Sequence, residues 1–397
     1  MDLGNAVRFG QSDETRLWLV NCDDPGIDLE FGDTIDELSR QDREVDCSRF
    51  CLNQVATANQ HKAHTMATST LPSALSFPPA TFAKLSPAPY LLAHLDPTSS
   101  SASPTRPSGR SPQQCRSPTV NTGSLTHANG SAVVRLGDSA VVCGVRAEVL
   151  RTSDVPHPYR GPEDSKREIE ELALLVPNIE LSTGCSPGFL PGNAPGTLAQ
   201  SLTQRLLSLL HLSKLVDVED LKVKYQPPET EDDLPDVPPQ LQTKAYWVLY
   251  IDLLVISLDG NPFDAAWGAI LAALSDTKLP KAWWDADCEA VLCSDQLSDA
   301  KKLTLGNIPA SLTFAVFTTA APQKKPEDAK NWVLADPDGF EEELCNESIT
   351  IVASEKSILR IEKRGGGFVG REAMRELVAH TQSRLGDWKQ ALTQEQR

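Results

Sequence analysis

One stretch sets acidic side chains where chemistry is often done. In Ser257-Leu-Asp-Gly-Asn-Pro-Phe-Asp264 an apolar run ends in Asp259-Gly260, turns, and opens a helix whose first turn holds Asp264. Carboxylates at a strand end and a helix start can share a magnesium ion. The same residues also have a structural reading. A first-turn acid complements the helix dipole, and Asp-Gly is an ordinary turn pair. No third ligand accompanies them, so the structural reading is preferred and no metal is expected.

Three other patterns are weaker. Gly365-Gly-Gly-Phe-Val-Gly370 fits G-x-G-x-x-G between a strand and a helix. A dinucleotide site also needs a second parallel strand and an acid about 20 residues on. The 397-residue sequence stops within that helix, so a plain strand-to-helix turn is the better reading and no cofactor is expected. Cys47, Cys51, His61 and His64 are spaced too closely for a zinc finger. No G-x-S-x-G elbow or histidine relay supports hydrolase chemistry.

The elements that would position these groups are legible in part. Residues 131–137 and 139–150 read as strands split by the turn pair Gly137-Asp138. Residues 172–181 read as a further strand. The spacing of Leu198, Leu202, Leu206 and Leu209 predicts a helix over 193–216, with Asn193 as its cap. Residues 246–258 are apolar on both faces, as a buried central strand requires. Asn261-Pro262 offers a cap and a first-turn proline to the helix that follows. Strands over 311–318, 332–336, 348–353 and 358–363 precede a terminal helix from 371, in which Met374 and Leu377 read as core. Strand blocks alternating with isolated helices give an α+β class in two similar halves.

Composition bounds the partners. There are 37 Lys+Arg against 54 Asp+Glu, a net charge of −17, which disfavours a free-standing module that binds nucleic acid through bulk charge. Residues 1–65 hold 6 of those basic and 13 of those acidic residues without apolar periodicity, and read as a disordered acidic extension. Residues 66–118 read as an N-terminal helical segment and a Ser/Pro-rich linker. The two parts that follow are 119–310 and 311–397, with polar insertions at 154–170, 226–241 and 321–330. Nine cysteines at scattered spacings read as reduced thiols. The longest apolar run is interrupted by Asp252 and too short to cross a bilayer, so no membrane association is expected.

Several segments together resemble the ribonuclease PH family: Arg106-Pro-Ser-Gly-Arg110, Asn121-Thr-Gly-Ser-Leu-Thr-His-Ala-Asn-Gly130, Val141-Val-Cys-Gly-Val-Arg-Ala-Glu148, Val176-Pro-Asn-Ile-Glu-Leu181, 246–274, Leu334-Ala-Asp-Pro337 and Lys363-Arg-Gly-Gly-Gly367. The run spans residues 77–395 in order. It is most similar to eukaryotic RNA exosome ring subunits that descend from the non-catalytic archaeal partner.

The resemblance implies a ribonuclease PH-like fold (ribosomal protein S5 domain 2-like) of two pseudo-repeated sheet-and-helix halves. It implies a six-membered ring with other ribonuclease PH-like subunits, capped by S1/KH-type subunits and threading RNA for 3′-to-5′ processing and decay. Nuclear, nucleolar and cytoplasmic location follows from it too. Active relatives attack RNA with phosphate and carry an arginine just after the Asp-Gly turn, where this chain has Phe263 beside Asp264. They also carry an arginine-rich segment on the preceding helix, where this chain reads Gln204-Arg-Leu-Leu-Ser-Leu-Leu-His-Leu-Ser-Lys214. Asp259, Phe263 and Asp264 are therefore expected to mark a degenerate active site without catalytic residues. The alternative is an active phosphate-dependent exoribonuclease. Arg106, Arg110 and Arg160 are the candidates for RNA contact.

Overall fold

The computed structural model describes residues 78–97, 103–156, 167–190, 196–227, 241–319, 330–366 and 369–394. Most of the three insertions, Asn193, Arg160 and the Cys47–His64 cluster lie outside them. The chain divides into two compact units, and the described part of 21–85 is the helix Pro79–Leu85 (α1). Everything below concerns the other unit, which opens with Pro87–Leu95 (α2).

The first sheet is built from Pro118–Thr122 (β1), Gly130–Leu136 (β2) and Ser139–Arg151 (β3), then Glu168–Glu171 (α3) and Leu175–Leu181 (β4). Thr197–Ser213 (α4), Val218–Leu221 (α5), Lys222–Tyr225 (β5) and Gln242–Ser257 (β6) complete it. Gly137 turns the β2–β3 hairpin at φ +63°. Its strands alternate as expected, with Ala132, Val134, Leu136, Val141, Cys143 and Val145 all inward and buried. The strand order is β1-β2-β3-β6-β4, with β5 also on β6. β4 runs parallel to β6, so the chain between them must cross over, and α4 makes that crossing. The helix cap falls at Gly196 rather than Asn193.

β6 departs from expectation. Residues 245–249 are buried on both faces, but beyond them the strand becomes one-sided. Ile251, Leu253 and Val255 point inward, while Leu254 and Ile256 are 39% and 49% exposed on the outer face. Among the described residues the outer face of that end stays open, so period-two alternation replaces continuous burial.

Pro262–Asp276 (α6) follows the Asp-Gly turn, and every residue from Phe263 to Leu274 is buried. A helix apolar all round belongs in the centre of a core, and small residues let its neighbours approach. A Cβ on Gly268 would lie 2.1 Å from the Trp388 ring. Four short strands that periodicity does not reveal come next, Lys278–Leu279 (β7), Ala282–Asp285 (β8), Ala290–Cys293 (β9) and Lys301–Lys302 (β10), in two ribbons.

Ala310–Thr318 (β11), Asn331–Ala335 (β12), Gly339–Leu344 (α7), Glu347–Ala353 (β13), Ile358–Arg364 (β14) and Arg371–Gln394 (α8) form the rest. The second sheet is antiparallel throughout, in the order β12-β11-β13-β14. Helices α6 and α8 touch strands of both sheets, and Arg205 of α4 reaches from the first half to β13 and β14. The helices thus form a layer between two sheets. One apolar core continues through it, because Ala310, Val352, Leu385, Trp388 and Leu392 join the cluster of the first half. Met374 and Leu377 pack on the second sheet.

Candidate functional site

The turn between β6 and α6 is held by backbone geometry that only certain residues accept. Gly260 sits at φ +68°, and a Cβ there would lie 2.4 Å from the Asp338 backbone. Asn261 follows at φ +49°, a left-handed conformation that asparagine tolerates. Ser139 Oγ accepts from Asp259 N and donates to the Gly260 carbonyl, tying the turn to the β2–β3 hairpin.

Both acids of the turn are held by protein donors. Asp259 Oδ1 accepts from Gly339 N at 3.1 Å, and its Oδ2 lies 3.6 Å from Arg116. Asp264 is buried, and its carboxylate accepts from Thr313 N and Asn261 Nδ2, each at 2.7 Å. The second donor of Asn261 reaches Asp336 Oδ1 at 2.7 Å. Arg116 grips Asp336 with Nε at 3.0 Å from Oδ2 and Nη2 at 2.7 Å from Oδ1, the fork geometry that makes such pairs strong.

The two buried acids respond oppositely. Burial raises the Asp264 carboxyl above its ordinary range. Burial pushes Asp336 the same way, but the Arg116 guanidinium outweighs it and holds that carboxyl low. Asp264 is therefore a clasp between α6 and β11, and among the described residues no group of three acids, cysteines or histidines could hold a metal.

Phe263 is 2% exposed, and its ring does not face an empty slot. The Arg205 guanidinium lies over it, 4.0 Å from the centroid. Arg205 in turn donates through Nε to Glu362 at 2.8 Å and pairs through Nη2 with the same carboxylate at 2.6 Å. The leucines around it on α4, Leu202, Leu206, Leu209 and Leu210, face the core. The helix thus keeps one arginine beside Phe263, with a carboxylate already on it. Sequence reasoning missed this, since Arg205 and Glu362 lie on different halves of the chain.

The arginines proposed for RNA contact are placed differently from expectation. Arg106 is 1% exposed. Its guanidinium donates to Glu341 at 3.2 Å, to the Ala335 carbonyl at 2.6 Å and to the Pro112 and Asp336 carbonyls. Arg110 lies beside Asp338 at 3.4 Å, Asp336 at 3.7 Å and Glu341 at 3.8 Å, with 13% of its side chain exposed. Both fasten the linker that precedes β1 to α7 and its approach, where Asp338 and Glu341 form a capping box. Polar neighbours in sequence had suggested solvent. The counter-ions that bury these arginines lie more than 200 positions away. Arg116, Asp336 and Glu341, which complete this network, were not singled out by sequence, although Asp336 stands in the Leu334-Ala-Asp-Pro337 segment.

The Gly365–Gly370 motif supplies a turn. Gly365 has φ +97°, and a Cβ there would press on Glu347 at 2.4 Å, while the middle of the motif lies outside the described residues. The free cysteines among the described residues are Cys115, Cys143, Cys185, Cys288, Cys293 and Cys345. Burial pushes the thiols of Cys115 and Cys345 up to about 11 and about 12, far from reactive thiolates. None of the described helices is long and apolar enough to cross a membrane.

Residues 114–280 match the RNase_PH family, described as 3′ exoribonuclease family, domain 1. The exosome complex component rrp43 of Schizosaccharomyces pombe is 33% identical over 312 residues, 78% of this chain and 97% of that protein. The chain belongs to the ribonuclease PH family. Another relative in it is the exosome complex component Rrp42 of Methanothermobacter thermautotrophicus, 27% identical over 68% of this chain and 83% of its own length. The ribonuclease PH fold is shared with solved structures. The Archaeoglobus fulgidus exosome with RNA bound to the active site aligns with a TM-score of 0.51 at 23% identity, covering 74% of this chain and 92% of that one. An archaeal exosome core aligns at 0.50 and 20%, covering 78% and 96%.

Proposed function

We propose that this ribonuclease PH-family chain is a catalytically silent ring subunit of an RNA exosome, supporting 3′-to-5′ RNA processing and decay. The ring assignment is supported by the rrp43 relative, matched over 97% of its length. Catalytic silence is supported by one observation. The position after the Asp-Gly turn is a buried phenylalanine, and Glu362 already occupies the donors of the arginine stacked on it. Phosphorolysis needs cationic donors aimed at an incoming phosphate. Here Phe263 has no charge, Arg205 has a counter-ion, and Asp264 would repel an anion.

On this reading the partners are other ribonuclease PH-like ring subunits, S1/KH-type cap subunits and RNA, and the chain works in the nucleus, nucleolus and cytoplasm. Arg106 and Arg110 are engaged by acids of the chain itself, which favours RNA contact through other residues on this reading.

Labelled RNA and phosphate incubated with the purified chain test the silence. No nucleoside diphosphate is expected, and its release would restore the exoribonuclease reading. Co-purification from cells expressing a tagged chain tests the ring, with sister ring proteins expected to co-elute. Fluorescence of the same tag in fractionated cells tests the location.

A further inference from the structure

We propose that Arg205, Arg360 and Arg364 form an oxyanion cradle that the chain fills with its own carboxylate, Glu362, and that removing this plug lets the cradle bind orthophosphate. Glu362 lies on β14 between Arg360 and Arg364 at strand spacing, so the three side chains share one face of the sheet, and Arg205 approaches that face from α4. Each carboxylate oxygen has its own guanidinium. Oε2 is 2.6 Å from Arg205 Nη2, and Oε1 accepts from Arg360 Nη2. Arg205 is backed by the Phe263 ring at 4.0 Å and donates to Thr350 Oγ1 at 3.3 Å, while Arg360 Nη1 donates to the Arg205 carbonyl at 3.3 Å. The donors are thus fixed in place around the anion.

Charge and hydrogen-bonding capacity both exceed what Glu362 supplies. The side chains of Arg205, Glu362 and Arg360 are only 13%, 11% and 8% exposed, yet two guanidiniums share one negative charge. Arg360 Nε is buried without an acceptor. Arg364, exposed at the rim, makes no ion pair with another described residue. The next acid, Glu342, accepts from Asn261 N at 2.8 Å and belongs to the turn. A carboxylate and a phosphate present similarly spaced oxygens to an arginine fork. A tetrahedral dianion would match the surplus charge better than the carboxylate does. The plug bears on function through the silence proposed above and rests on that reading, but binding and phosphorolysis are measured separately.

Thermal unfolding of the full chain tests the cradle in orthophosphate against chloride at equal ionic strength. In chloride, Glu362→Gln is expected to melt below the parent. Phosphate at about ten times its dissociation constant should raise the Tm of Glu362→Gln by roughly 2–3 °C. The parent should not respond, and Glu362→Gln combined with Arg360→Met should lose the response. Equal shifts in parent and Glu362→Gln, or a folded Glu362→Gln indifferent to phosphate, would overturn the inference. If Glu362→Gln does not fold in chloride, Glu362→Asp withdraws the carboxylate by one methylene and gives the same readout: stabilisation by phosphate supports the cradle and indifference overturns it. Nucleoside diphosphate release by the parent would sink the catalytic reading while leaving the binding result to stand or fall on its own.

Discussion

Two clusters of charge, both joining the halves of the chain, solve opposite problems. Around the Asp259–Asn261 turn, Arg116 meets Asp336 through three hydrogen bonds, two from its guanidinium and one from its backbone N–H, and Asn261 bridges Asp336 to Asp264. Arg106 and Arg110 close on Glu341, Asp336 and Asp338. Cations and anions there are interleaved below the surface. Around Glu362 the ratio is skewed, with two arginines on one acid and a third at the rim. The first cluster is a fastening. The second keeps the positive excess of a binding site while lacking a vacancy. A count of arginines would not separate them; what separates them is whether each guanidinium has its own counter-ion.

The sharpest way to break the contrast is Asp336→Ala. It takes from buried Arg116 its forked carboxylate partner and from the Asn261 amide one of its two acceptors, and breaking a buried pair in this manner costs about 3–5 kcal/mol. Urea unfolding should show that loss, and a loss below about 1 kcal/mol would mean the cluster is hydrated like a surface pair. Arg106→Met should cost somewhat less, roughly 2–4 kcal/mol, because Glu341 keeps its capping bonds to α7. It should leave RNA affinity of the assembled complex unchanged, and a large drop in affinity at full stability would return Arg106 to the RNA path. In the second cluster Arg205→Met should cost only about 1–2 kcal/mol, since Arg360 still holds Glu362 and a thioether can cover the Phe263 ring.

The smallest effect is a slope with pH. Asp336 is held low in the folded chain, so its stabilisation is complete above the unfolded carboxyl value near ~4 and fades as pH falls through the depressed folded value. Asp264 is raised, so its contribution is complete below ~4 and fades as pH rises through the folded value. Unfolding midpoints from acid to neutral pH should therefore change shape in opposite senses for Asp336→Asn and Asp264→Asn. Parallel curves would contradict the assignment of the proton affinities.

Much of the scaffold was legible because one-sided strands carry period two. β2, β3 and β4 alternate in burial, whereas β11 and β13 are buried almost throughout and were legible only as short runs rich in apolar and β-branched residues. The Asn261-Pro262 start of α6 was likewise legible, since proline cannot sit deeper in a helix. The outer end of β6 was not. Its Leu254 and Ile256 carry the same letters as buried residues, and only the position of neighbouring elements decides their exposure. The site was legible as a place and not as an arrangement. Phe263 could be located from the Asp-Gly turn, but stacking by Arg205 depends on how α4 lies across β14. The burial of Arg106 and Arg110 was not legible, because charge in a Ser/Pro-rich segment normally means water, and their partners arrive from the opposite end of the chain.

The central place of β6 has a consequence for how the protein is made. β3, β4 and β5 all pair with it, and it is the last of the four to leave the ribosome. Until that strand emerges, the free edge of β3 and the whole of β4 have no mate in the first sheet, and the intervening sixty or so residues must be synthesised while they wait. Long-range pairing of this kind closes slowly and leaves sticky edges open, so the nascent chain presents holding chaperones with a defined window of demand that shuts when β6 docks.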